Sequence, residues 1–165
     1  MQKAGKSTQL WRNLLVILII LLIVAGDQLS KTWIRSFPLD GQTIFNIGFI
    51  QIVHWQNTGV AFGMLQGQVL LLKIVSIVGL IGFSFIGIFV ARRHHYLANI
   101  PNRIAFALII GGTIGNLIDR LRFGRVTDFI DPGFFPAFNV ADSALTIGVI
   151  MLIISLLYQL LHEKH

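Results

Sequence analysis

Long apolar runs separated by short polar clusters make up most of this chain. Leu14 to Gly26 carries no charge, and Asp27, Gln28, Ser30 and Lys31 follow before the apolar character returns near Ile34. A helix needs about 20 largely apolar residues to cross a hydrocarbon core about 30 Å thick. The first run reaches that length only by taking its polar cluster with it, so the pattern predicts a span over about 14–34. Three further runs predict spans over about 69–90, 104–121 and 140–161, with Lys73 near the start of the second and Asp142 at the start of the fourth. The third is apolar first and polar last. A cleavable signal peptide is the alternative for the first run, with basic Lys3, Lys6 and Arg12 ahead of it and Ala25-Gly26 behind. Three more spans favour an uncleaved helix.

The period changes between the first two spans, over about 35–68. Thr43 to Trp55 is rich in Ile, Val and Phe, interrupted by Gln51 and His54, which predicts a hairpin or small sheet outside the membrane. Pro38 and Asp40-Gly41 mark a turn before it. No internal repeat or low-complexity segment interrupts the 165 residues. The expected fold is an all-α polytopic membrane protein: one membrane domain of four transmembrane helices, with a small extracytoplasmic β-rich segment between helices one and two.

Composition supports the membrane class. Charged residues are 12% of the chain, hydrophobic residues 55%, and mean hydropathy is +0.76. Soluble domains carry about 25% charge, so this chain lacks the means to clothe a water-facing surface. The absence of cysteine removes disulfides, thiol nucleophiles, iron–sulfur clusters and cysteine zinc sites. A net charge of +6 would suit nucleic acid, but the basic residues sit at the ends of apolar runs, as membrane flanks do. No nucleic-acid partner is expected. Four spans put both termini on one side, with Lys3, Lys6, Arg12, Arg92, Arg93, Arg103 and Lys164. The positive-inside bias makes that side cytoplasmic. Arg35, Arg122 and Arg125 lie on the other side and run against the bias.

An ionisable side chain deep in a bilayer costs about 2.5–3.5 kcal/mol on insertion scales. The seven acids are Asp27, Asp40, Asp119, Asp128, Asp131, Asp142 and Glu163, and four of them fall between 119 and 142. Asp27 and Lys31, four apart on one helix face, read as a structural ion pair. Gly111 and Gly115 have the GxxxG spacing of close helix packing. Gly112, Gly115, Asn116 and Asp119 share about a third of the helix circumference, with Arg120 at its margin, which suggests a wet or substrate-lined groove. Asp119 beside Arg120 reads equally well as an interfacial ion pair. Asn139 is a good N-cap and Asp142 suits the first turn that follows. Asp128 alone would be an ordinary loop acid. A connection of 10 to 20 residues between helices three and four nevertheless permits Asp128 and Asp142 to meet at one membrane face. Two adjacent carboxylates share a proton, so one can activate water while the other protonates a carbonyl oxygen. Asp131 is the rival partner, but no helical or turn signal directs it inward.

Other chemistries lack their parts. His94-His95 stands in a basic loop on the side opposite the aspartates, and no HExxH is present, so no metal is expected. No GxSxG occurs, Ser30 and Lys31 face different ways, and no nucleotide fingerprint follows a strand. No cofactor is expected.

Five ordered blocks carry a resemblance: Asp27-Gln-Leu-Ser-Lys31, Asn57-Thr-Gly-Val-Ala-Phe-Gly63, Gly111-Gly-Thr-Ile-Gly-Asn-Leu-Ile-Asp-Arg120, Gly124-Arg-Val-Thr-Asp-Phe-Ile-Asp131 and Phe138-Asn-Val-Ala-Asp-Ser143. Together they resemble bacterial lipoprotein signal peptidase (signal peptidase II). The resemblance implies an aspartic endopeptidase of the bacterial cytoplasmic membrane that cuts prolipoproteins just before a diacylglyceryl-modified cysteine. It assigns the catalytic pair to Asp128 and Asp142, with Asn57, Gly59, Asn116, Asp119, Arg120 and Asn139 binding substrate or supporting the pair, and Asp27 with Lys31 on the first helix. It implies that the extracytoplasmic sheet cradles the substrate and that lipid and prolipoprotein are the partners; a monomer is expected. Val60 and Thr113 stand where alanines are expected. Two other classes were open: a small transporter relaying cations through Asp119, Asp128 and Asp142, and a phosphatidyltransferase. A relay would spread acids through the membrane depth, and Asp128-Phe-Ile-Asp131 lacks the glycine that a phosphatidyltransferase pattern requires.

Overall fold

The computed structural model describes residues 2–39, 43–59, 65, 67–93 and 99–162. The turn expected at Asp40-Gly41, Val60, His94-His95, Glu163 and Lys164 lie outside the described residues, as do the side chains of Lys3, Lys6, Arg92 and Arg93. Four helices carry the fold: α1 (Gln2–Ile34), α2 (Val69–Arg93), α3 (Ile100–Phe123) and α4 (Val140–His162). Three strands accompany them: β1 (Thr43–Ile47), β2 (Ile50–Asn57) and β3 (Val126–Asp131).

Each helix contains a stretch long and apolar enough to cross a membrane: Gln9–Ile34, Val69–Phe89, Ile100–Phe123 and Val140–Gln159. The first and third begin about four residues earlier than the apolar runs suggested. Asn99 explains the third, because its side chain accepts from the Asn102 amide and Pro101 occupies the first turn, so capping starts the helix before the apolar run does. Gly124 ends α3 in the left-handed conformation (φ 70°), its amide bonding the Arg120 carbonyl.

Helix α3 is the central one. Half of its membrane stretch is buried within the protein, against 6% for α1, 6% for α2 and 17% for α4. The outer helices therefore turn their leucines and isoleucines outward, as a bilayer-facing surface requires. Small residues let the neighbours close on α3. A Cβ on Gly148 would sit 2.7 Å from the Ala105 carbonyl oxygen, and one on Gly112 would strike the Ala141 carbonyl. Gly111 faces Ile23 of α1, and a Cβ on Gly115 would come 2.6 Å from Asp27 Oδ2. The GxxxG pair thus faces α1, while Gly112 and Gly148 bring α3 and α4 together.

The hairpin expected between helices one and two is β1–β2, antiparallel, turning through Gly48 (φ 65°). It does not stand alone. Strand β3 adds to the far side of β2, giving an antiparallel sheet in the order β1-β2-β3. This corrects the loop reading of Asp128, which pairs opposite Trp55 in that sheet. Six residues of local pattern cannot declare a strand when the partner lies about 70 residues earlier in the chain. Trp33, Phe37 and Phe45 stack where α1 meets β1 and anchor the hairpin to the helix end.

Candidate active site

Asp128 comes from the middle of β3 and Asp142 from the first turn of α4. Both line a cavity of about 670 Å³. Its polar end also includes Asn57, Gly59, Asn116 and Arg120, and apolar residues such as Val75, Phe83 and Ile147 extend it between the helices. That size is typical of sites that enclose a small ligand or a short peptide segment.

Three asparagine amides hold the two carboxylates. Asn139 Nδ2 donates to Asp128 Oδ1 (2.7 Å) and Asn57 Nδ2 to Asp128 Oδ2 (3.1 Å). Asn116 Nδ2 donates to Asp142 Oδ1 (2.7 Å), and the Asn139 amide N–H to Asp142 Oδ2 (3.2 Å). Each amide is oriented by what its oxygen accepts. Asn57 Oδ1 accepts from the Gly59 amide (2.8 Å), Asn139 Oδ1 from the Asp142 amide as an N-cap (3.0 Å), and Asn116 Oδ1 from Lys31 Nζ (2.9 Å). All four carboxylate oxygens accept one bond, and every amide turns its N–H side toward an acid. Asn139 is thus the N-cap of α4 and, with its amide nitrogens, a donor to both carboxylates.

Asp128 is 2% exposed. Burial first, and the Asp142 carboxylate second, push its carboxyl from 3.8 up to about 7, against the hydrogen bonds from Asn57 and Asn139 and the Lys31 charge. Asp128 therefore holds its proton up to near neutral pH. Asp131 is partly exposed, accepts from the Gly133 amide (2.8 Å) in a turn of its own, and is absent from the cavity lining.

Beside the pair lies a fully buried ionic cluster. Lys31 Nζ stands 2.8 Å from Asp27 Oδ2 and 3.5 Å from Asp119 Oδ2, with all three side chains inaccessible. Asp27 Oδ1 accepts from the Ala141 amide (2.9 Å), tying α1 to the start of α4. The expected Asp27–Lys31 pair is thus part of a larger network that also orients Asn116. The Asp119–Arg120 ion-pair reading does not hold. Neighbouring helical residues point about 100° apart, so Asp119 turns to Lys31, Arg35 and the Thr127 amide, while Arg120 lines the cavity and donates to Ser76 Oγ (3.3 Å). Thr113 lines the cavity too, its hydroxyl bonded to the Ile109 carbonyl.

Sequence reasoning missed Gln28, Arg35, Ser76 and Thr127. Gln28 Nε2 donates to Asp27, to the Gly115 carbonyl and to Asp119. The spacing Asp27, Lys31, Arg35 on one helix face could have exposed Arg35; no local signal marks Ser76. Among the described residues no cluster of His, Cys, Asp or Glu is arranged to hold a metal.

The family model described as "Signal peptidase (SPase) II" matches residues 19–158. A lipoprotein signal peptidase of Dehalococcoides mccartyi is 46% identical over 131 residues, 79% of this chain and 81% of the relative. One from Streptococcus pyogenes serotype M5 is 43% identical over 145 residues, covering 86% and 92%. A solved bacterial membrane enzyme superposes with a TM-score of 0.81 at 36% identity over 91% of both chains, and another with 0.74 at 39% identity over 86% of this chain and 92% of that one. With a match that spans all four helices and the sheet, the chain belongs to the signal peptidase (SPase) II family of membrane peptidases.

Proposed function

We propose that this protein is an intramembrane aspartic endopeptidase that removes signal peptides from prolipoproteins, cutting just before the diacylglyceryl-modified cysteine with Asp128 and Asp142 as the catalytic pair. The observation that carries the reading is the junction of both carboxylates on one cavity, each oxygen held by an asparagine donor. The names of the relatives supply the substrate class.

The pair starts with one proton between the two acids. Water attacks the scissile carbonyl carbon and gives a proton to the ionised carboxylate, while the protonated carboxyl gives its proton to the carbonyl oxygen. The tetrahedral intermediate collapses as the C–N bond breaks. The leaving nitrogen takes the proton captured from water, and the second acid recovers its own from the collapsing hydroxyl. The Arg120 guanidinium in the cavity is suited to hold a substrate carbonyl or ester oxygen. The site lies where α3 ends and α4 begins, beside the sheet, so a signal peptide and its lipid chains reach it without leaving the bilayer. Both termini are cytoplasmic, this end faces outward, and one chain supplies every group, so a monomer suffices.

The test is a gel-shift cleavage assay on a diacylglyceryl-modified prolipoprotein in liposomes. Wild type and Asp131→Asn should cut, and folded Asp128→Asn and Asp142→Asn should lose about a thousandfold or more in rate. A folded wild type that leaves the lipidated substrate intact overturns the proposal, and ion flux would then be measured.

A further inference from the structure

Arg35 lies at the membrane end where the positive-inside bias disfavours cations, and it does not line the cavity. Its surroundings are specific. Nη1 donates to Thr127 Oγ1 (3.0 Å) and lies 3.3 and 3.4 Å from the two Asp119 oxygens. Nη2 donates to Thr32 Oγ1 (3.3 Å), and the guanidinium sits 4.6 Å from the centre of the Phe123 ring. A planar fork with one face on an aromatic ring and its edge on four oxygens has little freedom to move.

The residue so gripped is the one before Asp128. Thr127 is 3% exposed, and it is held from three directions: its hydroxyl by Arg35, its amide by Asp119 Oδ2 (3.1 Å), and its carbonyl by Asn139 Nδ2 (3.4 Å). Strand β3 is short, at the edge of a small sheet, and its pairing with β2 is irregular between Ile52 and Trp55, close to where Asp128 joins it. On its other side β3 is bonded by Phe138 at Phe129 and Ile130, so backbone pairing holds Thr127 and Asp128 from the β2 side alone. We infer that Arg35 is a positioning residue for the reaction: by clamping Thr127 to Asp119 at the end of α1, it fixes the backbone that aims Asp128 at Asp142. The inference rests on the peptidase reading. It also accounts for an arginine on the disfavoured side, since its charge is matched by Asp119 within the protein.

The experiment is a double-mutant cycle on the full chain in liposomes, with Arg35→Gln, Thr127→Val and the double variant, assayed well below their unfolding temperatures on the lipidated prolipoprotein. Small misplacements of a reacting group cost about ten- to a hundredfold. Each single variant should lose about that much in kcat with KM within about twofold, and the double variant should be no worse than the poorer single. Arg35→Lys should recover only part of the loss, because an ammonium cannot hold both Asp119 and Thr127 in a planar fork. Hydrogen exchange of the β3 amides, read by mass spectrometry, should quicken in Arg35→Gln while the α4 amides stay protected. Unchanged kcat in folded variants, losses that multiply in the double variant, or unchanged exchange in β3 would each overturn the clamp. If wild type itself fails to cut, the peptidase reading falls, and exchange in β3 still decides whether Arg35 holds the strand.

Discussion

Replacing Asp128 by asparagine should raise the stability of the folded protein at alkaline pH and lower it at acid pH, with a crossover between. The Asp128 carboxyl is pushed from 3.8 up to about 7 by burial and by Asp142. Between those values the folded state holds a proton that the unfolded chain has released, so stability falls as pH rises. The contribution is fully present below pH 3.8 and is lost as pH passes through about 7. A gap of that size, at about 1.36 kcal/mol per pH unit, amounts to about 4 kcal/mol as an upper bound. Asparagine cannot ionise and escapes this cost. Its amide has one acceptor oxygen where the carboxylate has two, however, so either Asn57 or Asn139 loses its partner and faces an N–H group. That loss is about 1–3 kcal/mol. The variant should thus be more stable by about 1–3 kcal/mol above pH 8 and less stable by up to about 2 kcal/mol near pH 4.5. Unfolding of wild type and variant would be followed by tryptophan fluorescence in one detergent from pH 4.5 to 9. Parallel curves, or a variant less stable at every pH, would refute the argument that Asp128 is strained by its ionised form.

Two further outcomes follow from the same network. Cleavage by the wild type should show a bell-shaped pH profile whose alkaline limb lies near 7, since a shared proton must be present; because the Asn57 hydrogen bond lowers the Asp128 value, Asn57→Ala should move that limb upward, and a limb that stays or falls would contradict the assignment. Lys31→Met leaves Asp27 buried without its ion-pair partner, and should cost about 3–5 kcal/mol in unfolding free energy; a loss under about 1 kcal/mol would mean that the fold does not depend on this ion pair.

The four spans were legible from the sequence because crossing a bilayer is a matter of local apolar length, and each of the four runs proved to be a helix. The β1–β2 hairpin was legible for a similar local reason, the richness of Thr43 to Trp55 in Ile, Val and Phe. Asp128 and Asp142 drew attention as paired acids in an apolar chain, Asn116 by its place on the polar face of helix three and Asn139 as an N-cap, and the structure brings those four together. Other features had no local signature. Strand β3 exists because β2, about 70 residues earlier, offers it an edge. Asp119 turned away from its sequence neighbour Arg120 because Lys31 and Arg35 on another helix supply its countercharge. The direction of each asparagine amide was set by its second partner: Gly59 for Asn57, Lys31 for Asn116, and the cap of α4 for Asn139. The sequence by itself determined which segments enter the membrane and which residues are too costly to be there without cause. Only the tertiary structure decided which of those residues face one another, because hydrogen bonds and ion pairs are satisfied by proximity in space, and the partners here come from five separate stretches of the chain.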